Sequence, residues 1–470
     1  MNLRAERPAM SAPTPLSAIP FVGFPAIPSS QANLQLALQF QLEQSQWLPP
    51  ADLDALQSAQ LERVVRHAAE TVPYYAERFA ADGIRLPARI DHAFLRKLPI
   101  STRDELQLAG DRLTSSRPPK EHGPVQFTTT SGSTGKPLRF ARTAVTHLNW
   151  LAFALRDHLW HRRDFRGRHC AIRFALPGIA EAPHGEIGPN WGEVVAPIYA
   201  SGPAARLNSA ASPAEQLDWL RRLAPDYLLS APSNLLALAA HAASTGETLP
   251  KILELRTVGE KLTPSDRRRL REAWQAEVVD IYTCEEAGYL ALECPSHEGY
   301  HVQSENVWLE LVDDEGNPCA QGQPGRVLLT SLNNFATPLI RYEIGDHAEF
   351  GPPCPCGRGL PVLSWIHGRT RNRVTMPDGS TRFPRMGEGE IFASAPELKV
   401  RQYVCVQHAV DDIELLVAAD GRPTPEQERS IAAALQKNLG HPFPIRFSFM
   451  DKIPRNPNGK LEIFISHVQA

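Results

Sequence analysis

TTTSGSTGKPL, residues 128–138, is a run of hydroxyl side chains and two glycines that closes on Lys136 and Pro137, just after the strand-like VQF. Such a loop suits a phosphate. Gly132 and Gly135 let backbone N–H groups turn toward an anion, Thr129, Thr130, Ser131, Ser133 and Thr134 add donors, and Lys136 adds charge. It is not a Walker A loop, which needs four residues between its glycines and Ser or Thr after the lysine. Here two residues separate the glycines and proline follows the lysine. A flexible Ser/Thr/Gly linker has the same composition, so the loop alone leaves both readings open.

Four further segments follow in a fixed order: YTCEEAG at 282–288, IRYEIGD at 340–346, GRTRNRV at 368–374 and PRNPNGK at 454–460. With the loop, they resemble the adenylate-forming superfamily of acyl-CoA synthetases, firefly luciferases and peptide-synthetase adenylation domains. The resemblance runs from about residue 60 to the C-terminus. TVPYYAERFAADGI at 71–84, LPISTRDEL at 98–106 and CPCGRGLP at 354–361 make it most similar to the phenylacetate–CoA ligase and capsular-biosynthesis adenylase branch. Motifs in this order are specific for the family and far less so for the substrate.

Length and composition agree. A chain of 470 residues exceeds one ordinary core and predicts two or more domains. A net charge of −3 makes no case for nucleic acid or an anionic membrane, and no apolar run is long enough to span a bilayer. Prolines interrupt the apolar part of residues 1–30, which reads as a poorly ordered arm rather than a signal peptide. Seven cysteines, two of them in CPC, fit a reduced, cytoplasmic setting with a metal site better than a disulfide framework.

Hydrophobic periodicity predicts helices over 31–47 and 51–70, then alternating strands and helices from 120 to 350. AVTHLNWLAFALRDHLW reads as a helix, HCAIRFALP as a strand, and ILELRTVG and VVDIYTC as strands around the helix SDRRRLREAW. That alternation argues α/β layering on a mainly parallel sheet. Strands crowd together from 301 to 350 around DDEGNP, a hairpin turn. A smaller α+β unit follows. The expected fold is α/β: a large N-terminal α/β domain with mixed sheets over 31–368, and a small mobile C-terminal α+β lid over 369–470.

Joining a carboxylate to AMP brings two anions together, so the site must neutralise charge and hold the attack in line. By resemblance, Lys460 bridges the acyl carboxylate and the α-phosphate, Asp346 takes the ribose hydroxyls, and Arg369 lies near ribose and phosphates. Tyr282 lies against adenine, Glu286 holds Mg²⁺, and Lys136 serves the phosphates. Gly259 and Glu260 lie at a strand end beside the nucleotide. Trp150, Ser233 and Asn234 face the acyl pocket. Glu285 stands where the family has Thr or Ser. An extra carboxylate there must turn away, bind a second cation or meet an amine on the substrate.

The cysteines carry a separate signal. Cys354 and Cys356 share one tight turn, and Cys294 precedes His297 and His301 on another. Two thiols on one knuckle and a Cys/His pair on a second suit tetrahedral Zn²⁺, with His301 preferred because it opens the strand HVQSENVWLEL and His297 as its rival. Some members of the branch carry a structural zinc here.

The expected chemistry uses ATP and Mg²⁺ to make acyl-AMP from a small-molecule acid, aryl or arylacetic by resemblance, and then to pass the acyl group to coenzyme A. An amine or a carrier protein is the alternative acceptor, and a non-catalytic nucleotide- or acyl-binding module is the alternative class. The family's hinge usually reads GR-x-D-D, with the first Asp as pivot. Here Arg371 and Asn372 occupy those positions. No feature of the sequence fixes the oligomeric state.

Overall fold

The computed structural model describes residues 13–130, 137–384, 386, 391–454 and 461–468. Ser131, Gly132, Ser133, Thr134, Gly135, Lys136 and Lys460 lie outside the described residues.

Local chemistry sets the helix starts. Thr102, Thr143, Ser212, Thr263 and Thr424 each cap a helix through a reciprocal bond with the residue three further on. Proline at the first helical position opens Pro213–Leu223, Pro232–Thr245, Pro264–Trp274 and Pro425–Leu439, where its missing N–H costs nothing. Gly246 and Gly440 close two of these helices in the left-handed conformation.

A twelve-stranded sheet forms the body. Its parallel part runs Ala204–Asn208, His169–Arg173, Tyr227–Ser230, Glu254–Val258 and Glu277–Cys284. The remaining pairings are antiparallel, so the sheet is mixed and parallel only across those five strands. Helix Ala144–Trp160 packs on it, and its apolar side chains join Val258, Ile281, Tyr289 and Leu292 in one cluster. Gln126–Thr129 pairs with Arg139–Arg142 as a separate ribbon.

The expected strand HVQSENVWLEL is two strands. Tyr300–Val302 and Val307–Val312 are separated by a turn in which Asn306 N donates to Gln303 O at 2.8 Å. A four-stranded sheet with its own core follows, formed by Lys399–Ala409, Asp412–Asp420, Ile445–Phe449 and Phe464–Ser466 and backed by Pro425–Leu439. The loop TMPDGSTRFP closes as a small hairpin, Val374–Thr375 on Thr381–Arg382. Of the N-terminal arm, residues 13–30 are described and mostly exposed, meeting the body at Pro15 and Leu16. Pro15 bridges Tyr199, and Leu16 N donates to Ile198 O at 2.6 Å. No described helix is long and apolar enough to cross a membrane.

Candidate active site and thiol cluster

Parallel strands end on one side, and a cavity of about 1690 Å³ opens at those ends. One wall is a nucleotide-sized corner. Asp346 in Tyr342–Phe350 stands opposite Arg369 at the end of Val362–Arg369. Arg369 Nε lies 3.0 Å from Asp346 Oδ1, and its Nη1 donates to Ile344 O at 2.9 Å. Tyr282 donates its hydroxyl to Asp346 Oδ2 at 2.9 Å. Burial, reinforced by the Asp346 charge, holds the Tyr282 phenol well above its ordinary value, so it stays a donor. The Asp346 charge likewise raises the Arg369 guanidinium.

A second set lines the same cavity. Arg103 donates through Nη2 to Thr130 Oγ1 at 2.6 Å and through Nη1 to Glu286 Oε1 at 3.2 Å. The Tyr342 hydroxyl donates to the same Glu286 oxygen at 3.3 Å. Glu286 Oε2 has no hydrogen bond to a described residue and is the ligand atom that suits a hard cation. The sequence reading assigned Arg103 no role. Its signal lay inside LPISTRDEL, where the Thr102–Glu105 capping box fixes Arg103 in the first turn of Arg103–Ala109.

The other expected residues among those described separate into two groups. Thr130, Gly259, Glu260, Trp150, Ser233, Asn234 and Glu285 line the same cavity. Thr129 does not line it. Thr128 and Thr130, on either side of it, do. Asn234 reaches the lining, but its amide is spent on Gln216 Oε1 at 2.8 Å and Ser230 Oγ at 3.1 Å, which makes it a packing residue first. Glu285 carries its own compensation. It is largely exposed, Arg142 lies 3.9 Å from its carboxylate, and Arg142 also donates to its backbone carbonyl.

Glu260 joins two parts of the chain. It accepts from Ser233 N and Oγ, each at 3.0 Å, and from Leu461 N at 3.0 Å. Leu461 directly follows Lys460. One residue further, Glu462 meets the hinge. Arg371 Nε donates to Glu462 Oε2 at 2.7 Å and Arg371 Nη2 to Oε1, while Asn372 Nδ2 adds a bond at 3.1 Å.

A second cluster lies under the antiparallel strands. One ligand atom each from Cys294, His301, Cys354 and Cys356 falls within 4.8 Å of all the others. Cys294 Sγ and Cys354 Sγ are 3.7 Å apart, and Cys356 Sγ and His301 Nε2 are 3.3 Å apart. A tetrahedron with Zn–S bonds of about 2.3 Å has edges of about 3.8 Å, so the donor set fits zinc. His301 Nδ1 faces Leu360 O at 3.4 Å, which points Nε2 at the thiols. His297 turns elsewhere, to Glu293 Oε1 at 2.5 Å.

A cavity at the strand ends of a mixed sheet, lined by Asp346, Tyr282 and Arg369, is the arrangement expected of an AMP-binding enzyme. The chain belongs to that family, whose model matches residues 53–337, and is an adenylate-forming ligase of the phenylacetate–CoA ligase-like branch. It is 26% identical over 353 residues to the phenylacetate-coenzyme A ligase of Escherichia coli, covering 72% of this chain and 76% of that protein. It is 25% identical over 449 residues to the phenylacetate-coenzyme A ligase of Thermus thermophilus, covering 88% and 96%. The fold matches 2-hydroxyisobutyryl-CoA ligase in its postadenylation state with a TM-score of 0.71 at 19% identity, over 90% of this chain and 91% of that one. The thioesterification state of that ligase matches with a TM-score of 0.58 at 20% identity, over 90% and 91%. The arrangement of elements here is nearer to the former.

Proposed function

We propose that this enzyme activates an aromatic or arylacetic acid with ATP as acyl-AMP and passes the acyl group to coenzyme A. The observation that carries this reading is that Asp346, Tyr282 and Arg369 line one cavity together with Thr130, Arg103 and Glu286. A carboxylate beside a strand end takes ribose hydroxyls as charge-assisted bonds. Arg369, with Nε 3.0 Å from Oδ1, holds that carboxylate in place. Tyr282 offers its ring to the base. Glu286 would hold Mg²⁺, which when bound neutralises charge on the phosphates. Arg103 holds Glu286 and Thr130 in register and adds a fixed positive charge to a site where negative charge gathers. Lys136 and Lys460 take the phosphate and carboxylate roles that the resemblance implies.

In the same reading the chain divides near Gly368. Residues 31–368 form the large domain, 1–30 an arm and 369–470 a lid that rotates between the two half-reactions. Cys294, His301, Cys354 and Cys356 would hold a structural Zn²⁺, because four protein ligands leave no open position. The reduced thiols fit a cytoplasmic setting.

The Arg371–Glu462 pair favours a second reading of the later step. A hinge held by an ion pair, where the family pivots on an aspartate, fits acyl transfer to an amine or carrier protein without the full rotation. The test is pyrophosphate release over a panel of acids, with mass spectrometry of products after adding coenzyme A, amines or carrier protein. No pyrophosphate release with any acid would leave a nucleotide-binding module instead.

A further inference from the structure

The acyl side of the cavity is an aromatic slot with a polar floor. Trp150, Phe153 and Tyr289 line it, with the Trp150 and Tyr289 ring centroids 6.2 Å apart. At its inner end lie Arg256, from Glu254–Val258, and His169, from His169–Arg173. Arg256 is 4% exposed. It donates through Nη2 to Asp157 Oδ2 at 2.5 Å, and its Nη1 meets His169 Nε2 at 3.2 Å.

The donor count is unbalanced. A guanidinium has five N–H groups and no acceptor. Two acceptors meet Arg256 among the described residues, and its Nε is buried without a partner. Asp157 does not need Arg256 alone, since Arg163 Nη1 also holds it at 2.8 Å. His169 must accept from Arg256 through Nε2, so its own proton sits on Nδ1 and makes a further donor. Burial holds His169 down to about 3 and keeps it neutral. Tyr289, which lines the same slot, adds a hydroxyl. The floor facing the cavity is therefore rich in donors; the one neighbouring acceptor without a hydrogen bond among the described residues, Asp157 Oδ1, does not line the cavity.

Depth fits one ring. Arg256 and Val258 share a face of their strand. Arg256 lies three residues before Gly259, about 10 Å below the strand end at the nucleotide. That span takes a carboxylate, a six-membered ring and one substituent.

Resting on the proposed acid-activating function, we infer that the substrate acid carries an acceptor oxygen at the end remote from its carboxylate, read by Arg256, His169 and Tyr289. A hydroxyl, a carbonyl or a second carboxylate meets this requirement. A site built to bond such a group rejects the analogue that lacks it, because the buried donors are then left unpaired.

The test compares acids matched in size. Pyrophosphate release with 4-hydroxyphenylacetic acid is measured against 4-methylphenylacetic acid, with the corresponding benzoic and cinnamic pairs covering other lengths and the 4-carboxy acids covering the anionic case. We expect kcat/KM to favour the oxygen-bearing acid by about 100-fold or more in at least one pair. Tyr289→Phe and Arg256→Gln should each narrow that ratio by about tenfold. If Arg256→Gln does not fold, Tyr289→Phe decides alone.

A wild-type ratio within threefold in every pair, or a ratio unchanged in the folded variants, overturns the inference. If no acid releases pyrophosphate, the proposed function fails instead. Direct binding of each pair by calorimetry then decides the floor separately, with the methyl acids binding as tightly as the hydroxy and carboxy acids as the refuting result.

Discussion

Breaking the Arg371–Glu462 pair should slow adenylation and relax the hinge. The pair is close and two-pronged, with one contact of 2.7 Å, and its side chains are 29% and 17% exposed. Two unit charges about 4 Å apart at an effective dielectric constant of about 20 attract by about 4 kcal/mol. Desolvation and side-chain ordering remove much of that, and part of the pair faces water. A coupling of about 1.5 kcal/mol remains, which is about tenfold in the population of the arrangement that the pair joins. Arg371→Ala, Glu462→Gln and the double variant form the cycle. Pyrophosphate release in single turnovers reads the first step, and transfer from preformed acyl-AMP reads the second. Each single variant should lose about tenfold in the first step, and the double should lose little more. High salt should shrink the difference, because the pair is partly exposed. A coupling within about 0.3 kcal/mol of zero would refute the latch, since additive losses mean that the two residues act independently.

Other outcomes follow from the same geometry. Asp346→Ala should weaken ATP binding by about 1.5–3 kcal/mol for each ribose bond lost, read by calorimetry, and an unchanged affinity rejects the assignment. Lys460→Ala should cut pyrophosphate release by about 10²–10³ while the melting temperature stays fixed. Purified protein should hold about one Zn²⁺ per chain by elemental analysis. Replacing Cys354 with Ser should lower thermal stability more than it alters the activity of the folded enzyme, and His301→Ala rather than His297→Ala should release the metal. Lys261 is held down to about 8 by burial. Between pH 8 and its unfolded value of about 10.4 the unfolded chain binds a proton that the folded chain lacks, so stability should rise with pH there. Urea unfolding across that range should show the rise in wild type and lose it in Lys261→Met.

Much of the scaffold was legible because its signals are local. The Ser/Thr caps with a partner three residues on, and prolines in the first turn, mark helix starts without reference to tertiary structure. The run AVTHLNWLAFALRDHLW forms the helix Ala144–Trp160. Partners distant in sequence were not legible. Arg256 sits in a strand whose text suggests an ordinary alternation, and only folding brings Asp157 to it across 99 residues. Arg103 joins Glu286 across 183 residues. The strand expected through HVQSENVWLEL breaks because Gln303, Ser304 and Asn306 make local turn bonds that compete with the ladder. The thiol cluster was legible as two knuckles, and the choice between His301 and His297 rested on strand geometry. His301 is fully buried beside the thiols, while His297 is spent on Glu293.

The acyl slot also bears on how this enzyme's preferences can drift under selection. Its floor is anchored by Arg256, which belongs to the buried ion network of Asp157, Arg163, Glu254 and Arg256. A substitution there leaves a buried charge short of a partner, typically a loss of about 3–5 kcal/mol, a large part of a domain's whole stability. Its mouth is different. Trp150 is 39% exposed and stacks on His147, so a change there meets water and flexible neighbours. Paralogues that accept new acids should therefore vary first at Trp150, while Arg256 and its partners change only together.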